Sequence, residues 1–126
     1  MVFPVLLVLV LVLEKARHCR QEASQSPVAH RRELLSQLDR ACLSILLNSA
    51  EGNGKRHGLQ RAKFFDDARG SALECAACLD ASVAKRIAKS DRIYAGKQLL
   101  IRIVAMLTRL VERFDPGEFR QHEPNA

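Results

Sequence analysis

"NSAEGNGKRHG", residues 48–58, decides how this chain is read. Two glycines and a lysine suggest a phosphate-binding loop, which would make the protein a nucleotide enzyme. The spacing fails. A Walker-type loop needs a glycine five positions before Gly54, where Ser49 stands, and a Ser or Thr after Lys55, where Arg56 stands. A dinucleotide fingerprint needs a third glycine at position 57, which is His57. The residues before the stretch have helical rather than strand periodicity. The remaining reading is a helix end, with Gly52 and Gly54 able to take left-handed conformations as the chain turns back.

The flanking segments support a helical hairpin. Leu34, Leu38, Cys42, Ile45 and Ser49 step by three and four, with Leu35, Ala41 and Leu46 beside them. This predicts a helix over 28–50. Phe65, Ala68, Ala72, Cys75, Leu79 and Val83 repeat the pattern and predict a second helix over 59–85. "KRIAKSD" interrupts it, and Ser90 or Asp91 can cap the next element. In that element Ile93, Leu100, Ile103, Leu107, Leu110 and Phe114 form a heptad seam, closed by "DPGE" at 115–118. Ile101, Val104 and Val111 form a second apolar strip, which suggests a subunit interface.

The N-terminus is less regular. "VFPVLLVLVLVL", residues 2–13, is twelve residues long, short of the roughly 20 that a membrane span requires. We expect a buried first helix. The length also suits the apolar core of an export signal, although no basic segment precedes it. No strand pattern follows residue 13. The expected fold is all-α, an antiparallel up-down-up-down four-helix bundle. Its parts are an apolar first helix and break (1–27), the bundle core (28–115) and a polar tail (116–126).

Charge is unevenly placed. The chain has net charge +6, and residues 54–113 hold thirteen Lys/Arg against six Asp/Glu, a surplus of +7. Such a surplus is the electrostatic footprint of a polyanion binder, and it is also compatible with a solvated helical face. Lys55, Arg56, His57, Arg61 and Lys63 form one cluster. Arg102, Arg109 and Arg113 form a stripe on the last helix. With no tryptophan and 5% aromatic residues, stacking platforms for single-stranded bases are scarce. Binding would be led by phosphate and sensitive to salt.

Catalytic and metal chemistry find little support. The four cysteines are Cys19, Cys42, Cys75 and Cys78. Cys75 and Cys78 make a C-x-x-C, but no second ligand pair follows. They read as small buried apolar residues of a reduced, cytoplasmic protein. None of His18, His30, His57 and His122 has a carboxylate or cysteine at useful helical spacing. We therefore expect no enzyme, no metal, no cofactor and no small-molecule substrate.

Folding the two middle helices about a turn near Lys55 brings Glu51 level with Arg61 and Lys63. It brings Glu74 level with Ser36 and Gln37, and Arg69 level with Ala41. Glu51 should thus meet Arg61 or Lys63 and not Arg69. Gly70, mid-helix among Ala68, Ser71 and Ala72, should let two backbones approach closely.

"QLDRACLSILLNSAEGNGKR" followed by "FFDDARGSALECAACLD" resembles the four-helix-bundle family of 23S rRNA intervening-sequence proteins. Relatives of that family include the accessory variability proteins of diversity-generating retroelements. The resemblance rests on Arg40, Ala41, Ser44, Ile45, Asn48, Ala50, Glu51, Gly52 and Gly54, then Phe65, Arg69, Gly70, Ser71, Ala72 and Glu74. It covers about residues 30–113. Leu46 replaces a family proline and Ser49 a family isoleucine, and the first 27 residues show no clear match. The resemblance implies a homo-oligomeric ring, a pentamer in members of the family, without enzymatic activity. It also implies a basic surface for RNA or DNA, or for a ribonucleoprotein partner, with low sequence specificity. The alternative is a protein–protein scaffold. In either case Asn48, Glu51, Gly52, Gly54, Phe65, Arg69, Gly70, Ser71 and Glu74 look structural.

Overall fold

The computed structural model describes residues 28–117. Among them are three helices and no strand: α1 (Val28–Gly54), α2 (Gly58–Ala84) and α3 (Ser90–Phe114). No proline interrupts the sequence between Pro27 and Pro116, and Leu, Ala and Arg are abundant, so nothing local opposes long helices. The links between helices are a few residues long, which makes consecutive helices antiparallel neighbours. α2 is central, packing on α1 along one side and on α3 along another, while α1 and α3 scarcely approach each other. The apolar run at residues 2–13 and the polar tail lie outside the described residues.

The core follows the predicted stripes with small shifts. Leu38, Ala41, Cys42 and Ile45 of α1 meet Phe65, Ala68, Ala72 and Cys75 of α2, and α3 adds Leu100, Ile103, Leu107 and Val111. Towards the end of α2 the seam drifts, so that Cys78 and Ser82 are buried in place of Leu79 and Val83. The second strip of α3 does not hold together. Val111 is 1% exposed and belongs to the core, Val104 packs against it, and Ile101 faces out at 59% exposure. The apolar residue that shares its outward side is Tyr94, seven positions earlier.

The turn at 55–57 differs from expectation in three respects. First, α1 continues through Glu51 and Gly52 to Gly54, and no glycine has positive φ. Gly52 is needed for space instead. A Cβ there would lie 3.0 Å from Phe65 Cε1 and 3.2 Å from Phe64 Cβ, so only a bare Cα lets α1 come this close to α2. Second, the longer helix moves the mirror line of the hairpin. Level pairs are Cys42 with Cys75, Ser44 with Ser71, and Gly52 with Phe65, which centres the reflection near Gly58 rather than Lys55. Glu74 is therefore level with Cys42, not with Ser36 and Gln37, and Arg69 is level with Leu47, not with Ala41. Third, Gly70 is exposed and a Cβ there would meet nothing within 4 Å, so the expected close approach is not made by this residue.

Among the described residues the one in a left-handed conformation is Arg86, at φ 56°. Its own N–H bonds to Val83 O and that of Ile87 to Ser82 O, a Schellman motif with arginine where glycine is usual. α3 then begins without a side-chain cap. Lys89, not Ser90 or Asp91, holds the cap position, and Asp91 Oδ1 accepts the N–H of Arg92 from within the first turn.

Candidate nucleic-acid interface

Two clusters that are far apart in sequence meet at one end of the bundle. Phe114, at the end of α3, stacks on Phe65 with ring centroids 5.9 Å apart. A Cβ on Gly58 would lie 3.3 Å from Phe114 O, so the start of α2 abuts the end of α3. Arg61 lies over the Phe114 ring at 4.8 Å and Arg113 lies 5.9 Å from it. Lys55 covers Phe64 at 4.9 Å. Exposed Arg56 and His57 occupy the turn between them. Cation–π contact helps to fix where these charges sit.

The roles within this end are unequal. Arg61 donates from Nε to Gly52 O at 3.2 Å and from Nη2 to Asn53 O at 3.0 Å. It thereby satisfies carbonyls at the end of α1, where the helix dipole is negative. It is half-buried and anchors the turn. Glu51 does not meet Arg61 or Lys63. Its carboxylate pairs with Lys55 one turn ahead, at 3.1 Å. This pair relieves the unfavourable position of an acid in the last turn of α1. Lys63 is exposed two positions past Arg61, on the other side of α2, and does not join the cluster. Arg102, Arg109 and Arg113 are all exposed along one strip of α3. Arg102 lies ~16 Å from Arg113 at 1.5 Å per residue, so the strip leads away from the cationic end along the helix.

The signature residues divide into four kinds. Gly52 and Phe65 make the close packing. Asn48 and Ser71 belong to a polar link across the hairpin: Asn48 Nδ2 donates to Ser44 O and Oγ at 3.0 Å, and Ser44 Oγ lies 2.8 Å from Ser71 Oγ. Ser71 also reaches Asp67 O at 3.0 Å. Ser44 is the member of this link that spacing alone did not single out, and its place one helical turn before Asn48 was the available signal. Arg69 pairs with Asp66 on its own helix, with Nε 2.9 Å from Oδ1. Gly54, Gly70 and Glu74 are exposed, and none makes a hydrogen bond or ion pair through a side chain among the described residues.

No group of three metal-binding side chains occurs among the described residues, and no described helix is long and apolar enough to cross a membrane. Cys42, Cys75 and Cys78 are buried and free, as expected for small apolar residues.

These features define an all-helical protein with a tight, serine-linked hairpin and a cationic end. The chain matches the family of 23S rRNA-intervening sequence proteins over residues 10–109, and it belongs to that family. The match starts well before residue 30, so part of the N-terminal segment also falls within the family's span. Comparison with individual curated proteins and with solved structures gives no match.

Proposed function

We propose that this protein is a non-enzymatic, homo-oligomeric four-helix bundle that binds nucleic acid, or a ribonucleoprotein partner, through its basic surface. The observation that carries this reading is the gathering of Arg61 and Arg113 on the Phe114 ring, with Lys55 over Phe64 and exposed Arg56 in the turn, continued by Arg109 and Arg102 along α3. Phosphates can be met along this strip with little base readout, because the aromatic rings at the cationic end are already covered by cations. The separation of α1 from α3 supports the four-helix arrangement, since helices diagonal to one another in a bundle touch little. The subunits close into a ring, and the protein works in the cytoplasm without cofactor or metal. Kinship with the accessory variability proteins of retroelements belongs to the same reading.

RNA and DNA titrations at two salt concentrations test it. Binding at low salt should weaken steeply as salt rises, and each lost phosphate contact should flatten the log–log slope by ~0.7–0.9. Charge reversal at Arg102 and Arg109 should reduce affinity for every sequence alike. Absence of binding at low salt removes the proposal. A second reading, a protein scaffold, is favoured by the outward Tyr94 and Ile101. Capture of a protein partner that depends on Ile101 but not on the arginines would support it.

A further inference from the structure

The C-x-x-C of α2 draws attention to Cys75 and Cys78, but the sulfur that Cys75 touches is on another helix. Cys42 Sγ of α1 lies 3.5 Å from Cys75 Sγ, and both residues are fully buried. A disulfide needs a sulfur separation of ~2.05 Å, so the two atoms are about 1.5 Å from bonding distance. They face each other across the hairpin within the α1–α2 core, two residues along α1 from the Ser44–Ser71 contact. No third metal-binding side chain completes a site around them among the described residues, which leaves sulfur–sulfur chemistry as what the pair can do.

We propose that Cys42 and Cys75 form a modification site: a small hydroperoxide oxidises them to a disulfide that locks α1 to α2. The two thiols are not equivalent. The hydrogen bond from Cys75 pulls the Cys42 thiol down against the opposing effect of burial. The same contact, aided by burial, pushes Cys75 up. Cys42 is therefore the sulfur that ionises, and Cys75 keeps its proton.

The Cys42 thiolate attacks one oxygen of hydrogen peroxide, the O–O bond breaks, and hydroxide leaves. Cys42 becomes a sulfenic acid. Cys75 then gives up its proton and attacks the Cys42 sulfur, the S–O bond breaks, and water leaves as the S–S bond closes. Two thiols lose two hydrogens, and one peroxide is reduced to two waters. The neighbouring thiol is already in place for the second step, so the sulfenic acid is captured before further oxidation. Burial makes the first step slow compared with an exposed thiol, because peroxide must enter during local opening of the hairpin.

The test uses the full-length chain carrying Cys19→Ser, treated with hydrogen peroxide, then alkylated and mapped by peptide mass spectrometry without reduction. The expected product is one linked peptide pair joining Cys42 to Cys75, two hydrogens lighter than the reduced pair, with Cys78 alkylated. Dithiothreitol should restore the thiols. Cys78→Ser should leave the link intact, and Cys75→Ser should replace it with higher oxidation states of Cys42. The oxidised protein should melt several degrees higher than the reduced protein, as a cross-link restricts the unfolded chain. A Cys75–Cys78 link, or Cys42 and Cys75 recovered as free thiols after Cys78 has been oxidised, would overturn the proposal.

Discussion

The two helix contacts of this protein are built on opposite principles. α3 meets α2 with volume: Leu100, Ile103, Leu107 and Val111 lie along one side of α3, and all are almost fully buried. α1 meets α2 with small groups set beside Leu38 and Ile45: Gly52, Ala41, Cys42 and Ser44 face Phe65, Cys75 and Ser71. The first contact tolerates rearrangement as long as apolar volume is kept. The second is defined by how closely two backbones can come and by hydrogen bonds of fixed length. The Cys42–Cys75 pair, the serine link and the Arg61 bonds sit on the second contact and at the turn that closes it.

Substitutions at chosen positions would break or sharpen this contrast. The largest effect is expected on the α3 side. Leu107→Ala removes a fully buried side chain and should cost about 3 kcal/mol, read as a lower urea midpoint with little change in slope. On the α1 side the sensitive change is an addition. Gly52→Val pushes atoms into the Phe64 and Phe65 side chains and should cost about 2 kcal/mol, with loss of the Phe65–Phe114 contact in near-ultraviolet circular dichroism or aromatic NMR shifts. If Gly52→Val is neutral, the hairpin is not set by close approach.

Ser71→Ala should cost about 1 kcal/mol, since Ser44 keeps its bond from Asn48 and loses only the cross-helix partner. A double-mutant cycle with Ser44→Ala isolates that contact, and a coupling near zero would show that the serines hold no register.

The smallest effect has the opposite sign. Gly70→Ala should stabilise the isolated chain by about 0.5–1 kcal/mol, because the position is helical, exposed and open. Two glycines of one signature should thus respond in opposite directions. If Gly70→Ala also changes the mass of the native particle in solution, its bare surface is used between subunits.

Much of the fold was legible because helical periodicity is a local property. The steps at Leu38, Cys42 and Ile45, and at Leu100, Ile103 and Leu107, mark core positions whatever the helices pack against. The failures came where a residue has two possible reasons for being there. Gly52 and Gly54 read as helix-ending glycines, yet the helix passes through both and Gly52 answers to Phe65. Arg61 read as part of a basic cluster and a partner for Glu51, yet its Nε and Nη2 donate to the Gly52 and Asn53 carbonyls. Arg86 gave no signal of a left-handed residue, because arginine carries no preference for that conformation.

The departures from the family pattern follow the same division. Ser49, where the family has isoleucine, is buried with its hydroxyl lacking a partner among the described residues. Leu46, where the family has proline, lies in an unbroken helix and packs on the core.

By itself the sequence determined three long helices, their order, their inward faces and the excess of positive charge between residues 54 and 113. These depend on side-chain spacing and composition, which survive any arrangement of the helices. Only the tertiary structure decided the register of the hairpin, the meeting of Arg61 with Phe114 and of Cys42 with Cys75, and which of two glycines is sterically required. Those depend on interatomic distances between residues far apart in the chain, and a shift of about six residues in register, of the kind found here, exchanges every partner.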